Sequence, residues 1–441
     1  MARIFNEDLV AGVAAELGIT DLASATIGQA VLDAMSLQQR TGTGFVRMDQ
    51  GVPGLEPSIV GRRAEQQALK DNIAAIYPPA EGIAELKNES SRFVKAFLNL
   101  EVSPAGCIPV TGSVTGSFGA FVMCCQCTPG RDTVLFIDPG FPIQKSQLRV
   151  LGYPWESFDI YEYRGERLRA KLEEYLSTGR ISSIIYSNPN NPAWICLAEP
   201  ELRIIGELAT KYDVIVLEDL AYFAMDFRRD LGRPFRPPYQ ATVARYTDNY
   251  ILFLSASKIF SYAGQRSAVT VVSDRLYARR FPALAERYGG LGEFGNVMTN
   301  AVLYMITSGS THSTQFGLAA MLREAVDGRL DFRAHTSEYA RRAGLMKQAF
   351  LRNGFHIVYD RDLDEEISDG FFFSVGYPGL SSRELMVELI YYGISSISLH
   401  TTGSLRQGIR ACSSRMTDDQ LALLDERLQA FNEDHGRRGG N

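Results

Sequence analysis

Five short apolar runs without alternation constrain the fold of this chain more than any other feature of its sequence. They are TVLFID (133–138), ISSIIYS (181–187), VIVLED (214–219), ILFLS (251–255) and AVTVVS (268–273). A strand that is apolar on both faces is typical of a mostly parallel sheet between two layers of helices. The runs therefore predict an α/β fold.

The segments between these runs have the 3.6-residue period of helices. GERLRAKLEEYL (165–176) precedes the second run, and EPELRIIGELATKYD (199–213) follows it with Leu202, Ile205 and Leu208 on one face. In a sheet of this kind, ligands bind beyond the carboxyl ends of the strands. The polar residues that follow each apolar run are therefore candidate site residues.

The last hundred residues have a different pattern, in which helical segments alternate with the strand-like GFFFSVGY, SSISLH and QGIRACSS. We predict a large domain with a mostly parallel mixed sheet flanked by helices, and a smaller α+β domain. The predicted boundaries are an N-terminal segment (1–50) that packs with the small domain, the large domain (51–315), the small domain (316–435) and a disordered tail (436–441).

Composition excludes several classes of function. The chain has 441 residues and a formal charge of −6, so it lacks the basic face that nucleic-acid binding requires. The six cysteines and five histidines show no complete zinc-ligand spacing, and we expect no metal site. The uncharged stretch 102–130 contains prolines and glycines that would expose backbone in lipid. With no signal peptide in the first residues, we expect a soluble, cytoplasmic protein without membrane partners.

Five side chains with complementary chemistry follow the predicted strands. Asn191 lies in SNPNNP, Asp219 and Tyr222 lie in EDLAY, and Lys258 is followed by Arg266 in SASKIFSYAGQR. A lysine at a strand end is usually a solvated residue. Together with an acid, an amide, a phenol and a guanidinium, however, Lys258 predicts a site for a pyridinium aldehyde, pyridoxal 5′-phosphate (PLP).

Each part of such a cofactor has a candidate partner. Asp219 would keep the ring nitrogen protonated, Tyr222 and Asn191 would bind the ring oxygen, and Lys258 would form a Schiff base with the aldehyde. The phosphate would bind Arg266, Ser255 and the backbone of Ser113 and Val114, which lie in the glycine-rich stretch 109–123 where a turn opens into a helix. That turn is neither GxGxxG nor GxxxxGK.

These motifs resemble those of the class I/II aminotransferases, a fold type I family of PLP-dependent enzymes. SNPNNP is similar to the family's Asn-Pro motif, DLAY to its Asp-x-x-Tyr motif, and SASKIFSYAGQR to its lysine motif with the arginine eight residues later. The resemblance implies the fold predicted above and an amino-acid aminotransferase activity that uses PLP.

Further residues take roles only through this resemblance. Arg410 in GIRACSS would bind the substrate α-carboxylate, Phe141 in DPGFP would stack on the cofactor ring, and Gly51 in QGVPGL would lie over the substrate. Tyr77 in IYPPAEG would reach the phosphate in a neighbouring subunit, which implies a homodimer with shared active sites. Alternatives are a surface ion pair for Arg410 and core packing for Phe141 and Tyr77.

Two departures from the family pattern leave the substrate open. Asn-Pro is usually followed by Thr-Gly, whereas this chain has Ala193 and Trp194; we expect the tryptophan to pack in the core, although it could instead narrow the substrate entrance. The late Pro-Gly-Ser segment is replaced by Thr402, Gly403 and Ser404.

The leading hypothesis is therefore an aminotransferase that exchanges the amino group of an amino acid with a 2-oxo acid through Lys258. A PLP-dependent C–S lyase or decarboxylase of the same fold is the alternative, because the same cofactor site serves those reactions. A PLP-binding regulator would need a DNA-binding module, for which the residues before Gly51 are too few. A non-catalytic scaffold would not need Lys258, Asp219 and Arg266.

Overall fold

The computed structural model describes residues 3–22 and 27–436. The predicted disordered tail lies outside these residues, apart from Gly436, which ends the last helix. The strands are β1 Val46–Arg47, β2 Cys107–Val110, β3 Thr133–Asp138, β4 Trp155–Asp159, β5 Ile181–Ser187, β6 Ile215–Asp219, β7 Tyr250–Ser255, β8 Ala268–Val272, β9 His356–Ile357, β10 Arg361–Asp362, β11 Glu365–Glu366, β12 Phe372–Gly376, β13 Ile394–Ser395, β14 Ile397–Ser398 and β15 Ile409–Cys412.

The helices are α1 Glu7–Glu16, α2 Ile27–Thr41, α3 Ile59–Lys70, α4 Ala84–Leu98, α5 Ser113–Gln126, α6 Pro142–Leu151, α7 Arg167–Leu176, α8 Glu199–Tyr212, α9 Ala256–Ile259, α10 Asp274–Ala278, α11 Pro282–Arg287, α12 Phe294–Asn296, α13 Tyr304–Thr307, α14 His312–Val326, α15 Phe332–Thr336, α16 Glu338–Arg352, α17 Ser382–Tyr391 and α18 Asp418–Gly436. A π-helical segment, Val297–Leu303, joins α12 to α13. Short 3₁₀ turns cover Ile73–Ala75, Pro104–Gly106, Ile160–Tyr163, Val243–Arg245, Ala263–Gln265 and Leu399–Thr402.

The chain divides into two compact units. The small unit contains the described residues of 1–54, 191–195 and 337–441, and the large unit contains 55–190 and 196–336. The division at 336 falls later than the predicted boundary at 315, which lies inside α14. That helix belongs to the large unit because it packs against α3 and α4.

The large unit is built on a seven-stranded sheet with the order β2-β8-β7-β6-β5-β3-β4. Strands β3 to β7 are parallel, and β8 is antiparallel to both of its neighbours, β7 and β2. Every residue of β3, β5, β6, β7 and β8 is buried. The prediction of a mostly parallel mixed sheet is confirmed, and its non-alternating strands are the ones buried on both faces.

The small unit has an antiparallel sheet with the order β14-β15-β12-β9. One face of β12 and β15 carries Phe373, Val375, Ile409 and Ala411, which all belong to one hydrophobic core. Since side chains alternate along a strand, Arg410 projects from the opposite face. The N-terminal segment joins this unit, where β1 pairs in parallel with β13.

Helix α5 occupies part of the uncharged stretch 102–130. Cys124 and Cys125 are buried within α5, and Cys127 is buried just after it. Among residues 3–22 and 27–436, no helix is long and apolar enough to cross a membrane.

Candidate active site

Asp219 is the last residue of β6 and lies at the carboxyl edge of the large sheet. It pairs in register with Ser187 on β5 and with Phe253 on β7. The side chain accepts hydrogen bonds from the backbone N–H of Ala221 at 3.1 Å and from Gln144 Nε2 at 3.2 Å. Asp219 is thus a buried carboxylate held by two neutral donors.

The surroundings of Asp219 disfavour its charge. Burial raises the pKa of its carboxyl from 3.8 to about 6, and the two neutral donors offset only part of that effect. Within the described part of the chain, no cationic side chain hydrogen-bonds to it. A carboxylate in this position would be stabilised by a positively charged partner.

Tyr222 follows Asp219 in the turn after β6, and Lys258 follows the neighbouring strand β7. Strand β7 ends at Ser255, whose hydroxyl caps α9 by accepting the N–H of Ser257 at 3.2 Å. Lys258 lies on α9 and is half-buried. Tyr222 is buried in the turn that follows β6. The alternative of a solvated strand end does not describe Lys258, because part of its surface is covered.

An anion-binding geometry lies at the start of α5. Gly112 precedes the helix with φ of 78°, and no side chain caps the helix there. The Ser113 hydroxyl is buried, and no hydrogen-bond partner is found for it among the described residues. The Arg266 guanidinium lies against Gly112, where an added Cβ would come within 2.5 Å of Nη2. Helix N–H groups, a hydroxyl and a guanidinium are suited to binding a phosphate.

Strand register explains why these groups share one edge of the sheet. Ser255 at the end of β7 and Val110 at the end of β2 both pair with Ala268 on β8. Helix α5 approaches the sheet closely through Gly116, where an added Cβ would lie 2.5 Å from Thr270 Oγ1. Val114, the second residue of α5, follows Ser113 at the same helix start.

The two remaining predicted aromatics of the large unit differ in burial. Phe141 is half-buried at the N-cap of α6, one turn before the Gln144 that contacts Asp219. Tyr77 is 86% exposed, so it does not pack in a core as one alternative held.

The small unit brings Arg410, Asn191 and Gly51 together. Arg410 is only 2% exposed, which contradicts the alternative of a surface ion pair. Its Nη1 donates to Asn191 Oδ1 at 3.2 Å, and its Nη2 donates to the Asp49 carbonyl at 2.7 Å. Its Cζ lies 4.4 Å from the ring centroid of Phe372. A Cβ on Gly51 would come within 2.8 Å of Phe372 Cζ, so this glycine admits the ring.

Three residues in these arrangements were missed by the sequence analysis: Gln144, Asp49 and Phe372. Gln144 could have been found from its position three residues after Phe141, since residues at that spacing share a helix face. Asp49 contributes a backbone carbonyl, which no side-chain pattern indicates. Phe372 lies in a run of three phenylalanines whose faces depend on the strand register.

The family model for aminotransferase class I and II matches residues 43–428. The chain belongs to this family. Enzymes of the class I and II aminotransferase family use PLP.

Curated relatives of this family member match it at low identity. An aspartate aminotransferase of Sulfolobus acidocaldarius is 23% identical over 257 residues, which cover 58% of this chain and 62% of the relative. An LL-diaminopimelate aminotransferase of Halothermothrix orenii is 28% identical over 222 residues, which cover 49% of this chain and 53% of the relative. The chain thus spans little more than half of the length of these relatives.

Solved structures extend the likeness over nearly the whole chain. An alanine aminotransferase from Pyrococcus furiosus superposes with a TM-score of 0.75 at 16% identity, covering 95% of this chain and 99% of that one. An aspartate aminotransferase from Thermus thermophilus, solved with maleate, gives 0.73 at 17% identity and covers 92% and 96%. At these identities the likeness establishes the fold of this family member, which is that of the fold type I aminotransferases.

Proposed function

We propose that the protein is a PLP-dependent aminotransferase that exchanges amino groups between an amino acid and a 2-oxo acid. The proposal rests mainly on Asp219, a buried carboxylate with two neutral donors and a pKa raised to about 6. A protonated pyridine nitrogen would supply the positive charge that this carboxylate lacks. Membership of the aminotransferase family supports the same cofactor.

The donor set of the large unit fits the other parts of PLP. The phosphate would be held by Arg266, Ser255, the N–H groups of Ser113 and Val114, and the Ser113 hydroxyl, which has no partner in the described part of the chain. Lys258 would hold the cofactor covalently through Nζ.

Three further residues complete the proposed cofactor contacts. Tyr222 and Asn191 would donate hydrogen bonds to the ring oxygen, and Phe141, one turn from Gln144, would cover a face of the ring. In this arrangement Asn191 would serve both the cofactor and the substrate, since its Oδ1 accepts from Arg410.

When bound, PLP would supply a ring that delocalises the electrons of the substrate Cα–H bond. Lys258 Nζ would accept the proton from the Cα of the amino acid as general base. In the reverse half of the exchange it would donate a proton to the Cα that comes from the 2-oxo acid, as general acid. The Asp219 carboxylate would hold the proton on the ring nitrogen and stabilise the developing charge. Arg410, oriented by the Asp49 carbonyl and Phe372, would bind the substrate α-carboxylate, and Gly51 beside it would leave room for the substrate.

A panel assay tests this function. PLP-loaded protein is incubated with each of the common amino acids and with pyruvate or 2-oxoglutarate, and amino-group exchange is measured along with ammonia and thiol release. We expect amino-group exchange with at least one pair, a yellow protein, and attachment of PLP to the Lys258 peptide after borohydride treatment. Ammonia, thiol or carbon dioxide release without amino-group exchange would instead establish the lyase or decarboxylase alternative.

A matched pair of lysine variants completes the experiment. We expect Lys258→Ala to lose about 10⁴-fold in turnover, because it removes the general base. Lys211→Ala is the control, since Lys211 pairs with Glu173 on an exposed surface of α7 and α8. Equal activity of the two variants, or a wild-type protein that binds no PLP, would contradict the proposal.

We also propose that the active form is a homodimer in which Tyr77 binds the cofactor phosphate of the neighbouring subunit. Tyr77 and Ile76 are exposed, as are Met305 and Ile306 of α13. The start of α14, which follows α13 in the chain, lies near Ile76, because His312 Nδ1 is 2.9 Å from the Ile76 carbonyl. Exposed apolar side chains of this size favour burial against a second copy.

Sedimentation velocity tests this assembly. We expect a dimer for the wild-type protein, and a dimer with weaker PLP binding for Tyr77→Phe, which lacks only the hydroxyl. A monomer with full activity would contradict the proposal.

A further inference from the structure

Trp194 of the small unit combines a large buried side chain with an unusual backbone conformation. Its side chain is completely buried, and its backbone has φ of 65°. A bulky residue in this left-handed region is under strain, and such strain persists where the surroundings fix it. Trp194 also stands three residues after Asn191, which bonds to Arg410.

Gly370 makes the space that the indole occupies. A Cβ on Gly370 would lie 2.1 Å from Trp194 Cε2, 2.2 Å from Cζ2 and 2.3 Å from Nε1. These are distances that no real side chain accepts, so the indole lies directly against this backbone. The Gly370 carbonyl is in turn bonded by the Ser413 hydroxyl at 2.7 Å. The tryptophan and the glycine therefore form one fitted pair.

The indole also contacts the ring that supports Arg410. Trp194 and Phe372 meet edge to face, with ring centroids 6.3 Å apart and an interplanar angle of 70°. Phe372 also contacts two other residues of the small unit. Its ring centroid lies 4.4 Å from Arg410 Cζ, and its ring fills the space that a Cβ on Gly51 would need. A shift of the indole would move Phe372, and the guanidinium rests on the Phe372 face.

Strand register makes this coupling direct. Phe372 on β12 pairs with Cys412, and Ser374 pairs with Arg410 on β15. Phe372 and Arg410 therefore project from the same face of the sheet, two residues apart along the strands. The guanidinium has this aromatic face on one side and hydrogen bonds to Asn191 and Asp49 at its ends.

We propose that Trp194 is a positioning residue that orients Arg410 for the substrate carboxylate by holding Phe372 beneath the guanidinium. This inference rests on the proposed carboxylate-binding role of Arg410. The Trp194 indole is completely buried and contacts Phe372, so in this proposal it acts through that ring.

A double-mutant cycle on the PLP-loaded protein tests the proposal. Binding of pyruvate and of 2-oxoglutarate is measured by calorimetry for the wild type, Trp194→Ala, Arg410→Gln and the double variant. We expect Trp194→Ala to weaken binding by about tenfold, the upper range for the loss of an aromatic contact. Because both residues act on one carboxylate, the double variant should bind no more weakly than Arg410→Gln alone. In turnover, KM should rise for Trp194→Ala with kcat nearly unchanged.

Two further variants separate positioning from simple packing. Trp194→Phe keeps an aromatic edge and should restore most of the affinity. Gly370→Ala should weaken binding when Trp194 is present and have little effect in the Trp194→Ala protein, which has lost the indole that the new methyl would strike. If Trp194→Ala does not fold, the Trp194→Phe and Gly370→Ala variants provide the same cycle with Arg410→Gln.

The outcomes distinguish this inference from the proposed function. Additive losses in the cycle, with normal amino-group exchange by the wild type, overturn the role of Trp194 alone. A non-additive cycle in a protein that exchanges no amino group supports the role of Trp194 while the aminotransferase proposal fails. If neither acid binds the wild-type protein, the carboxylate role of Arg410 fails and the inference fails with it.

Discussion

Two buried carboxylates of the large unit are held in opposite ways. Glu201 on α8 accepts from Arg164 Nε at 2.7 Å and Nη2 at 2.9 Å, and also from the N–H groups of Gly165 and Ala198. Burial alone would raise the pKa of Glu201, but the guanidinium and these donors hold it below its usual value. Asp219 has two neutral donors, and burial raises its pKa to about 6.

The difference supports different proposed roles for the two acids: Glu201 stabilises the fold, and Asp219 would bind a ligand. Glu201 and Arg164 neutralise each other within the chain, so removing one leaves a buried charge. Asp219 leaves its charge uncompensated by any cation in the described residues, and this lowers the stability of the ligand-free protein at neutral pH. A residue that costs stability in this way is expected where function requires it.

The largest expected effect of this contrast is on catalysis. We expect Asp219→Asn to reduce turnover by about 10³- to 10⁴-fold, because the amide cannot stabilise a protonated ring nitrogen. Glu201→Gln removes one charge from the other buried site and should leave kcat of the folded protein unchanged. The check is kcat with the best amino acid of the panel at saturating PLP. A similar loss of kcat in both variants would contradict the different roles proposed for Asp219 and Glu201.

The two substitutions should change the stability of the cofactor-free protein in opposite directions. Glu201→Gln leaves Arg164 buried without its counter-ion and should lower the free energy of unfolding by about 3–5 kcal/mol. Asp219→Asn should raise the free energy of unfolding at pH 7 by at most about 3 kcal/mol, which is the free-energy equivalent of the rise in the Asp219 pKa from 3.8 to about 6. Urea unfolding of both variants and the wild type measures these changes. Destabilisation by Asp219→Asn would contradict the idea that this carboxylate is costly.

The free energy of unfolding should also depend on pH through the ionisation of Asp219. Between about pH 4 and pH 6 the folded protein binds a proton at Asp219 that the unfolded chain does not, since the pKa rises from 3.8 to about 6 on folding. The contribution of Asp219 to the free energy of unfolding therefore becomes less favourable as pH rises through this window, and it is constant above it. The difference between wild type and Asp219→Asn, measured by urea unfolding at several pH values, should grow from pH 4 to pH 6. A difference that does not change with pH would show that Asp219 titrates normally.

The smallest expected effect concerns the donor to Asp219. Gln144→Leu removes the 3.2 Å hydrogen bond that partly stabilises the carboxylate. We expect PLP to bind about five- to tenfold more weakly, which corresponds to the usual net contribution of about 1 kcal/mol for a single hydrogen bond. Absorbance titration of the cofactor measures this change. Gln126→Leu is the control, because Gln126 bonds to Tyr153 and Tyr288 at the other end of α5.

Several elements could be predicted from local pattern. The runs 133–138 and 181–187 coincide with β3 and β5, and the run 214–219 begins one residue before β6. Strands buried on both faces consist mostly of apolar residues, so the polar residues that follow them mark their ends in the sequence. The order of Asp219, Tyr222 and Lys258 after these strands followed from the same pattern.

Other features could not be predicted because they depend on packing between distant segments. The predicted boundary at 315 falls inside α14, whereas the large unit extends to residue 336, because the contacts of that helix with α3 and α4 cannot be deduced from its own sequence. Gln144 reaches Asp219 across 75 residues, and only the orientation of α6 decides this. The close fit of Trp194 against Gly370 likewise joins segments far apart in the chain.

By itself, the sequence determined which strands are buried and which polar residues end them, because burial on both faces imposes a local pattern. It could not determine which acid would be neutralised. Glu201 lies within a helix of ordinary amphipathic pattern and Asp219 ends an apolar strand. Tertiary structure alone brings Arg164 to the first, 37 residues away, and leaves the second with neutral donors. Charge compensation depends on distances of a few ångströms, and these are set by the folded chain.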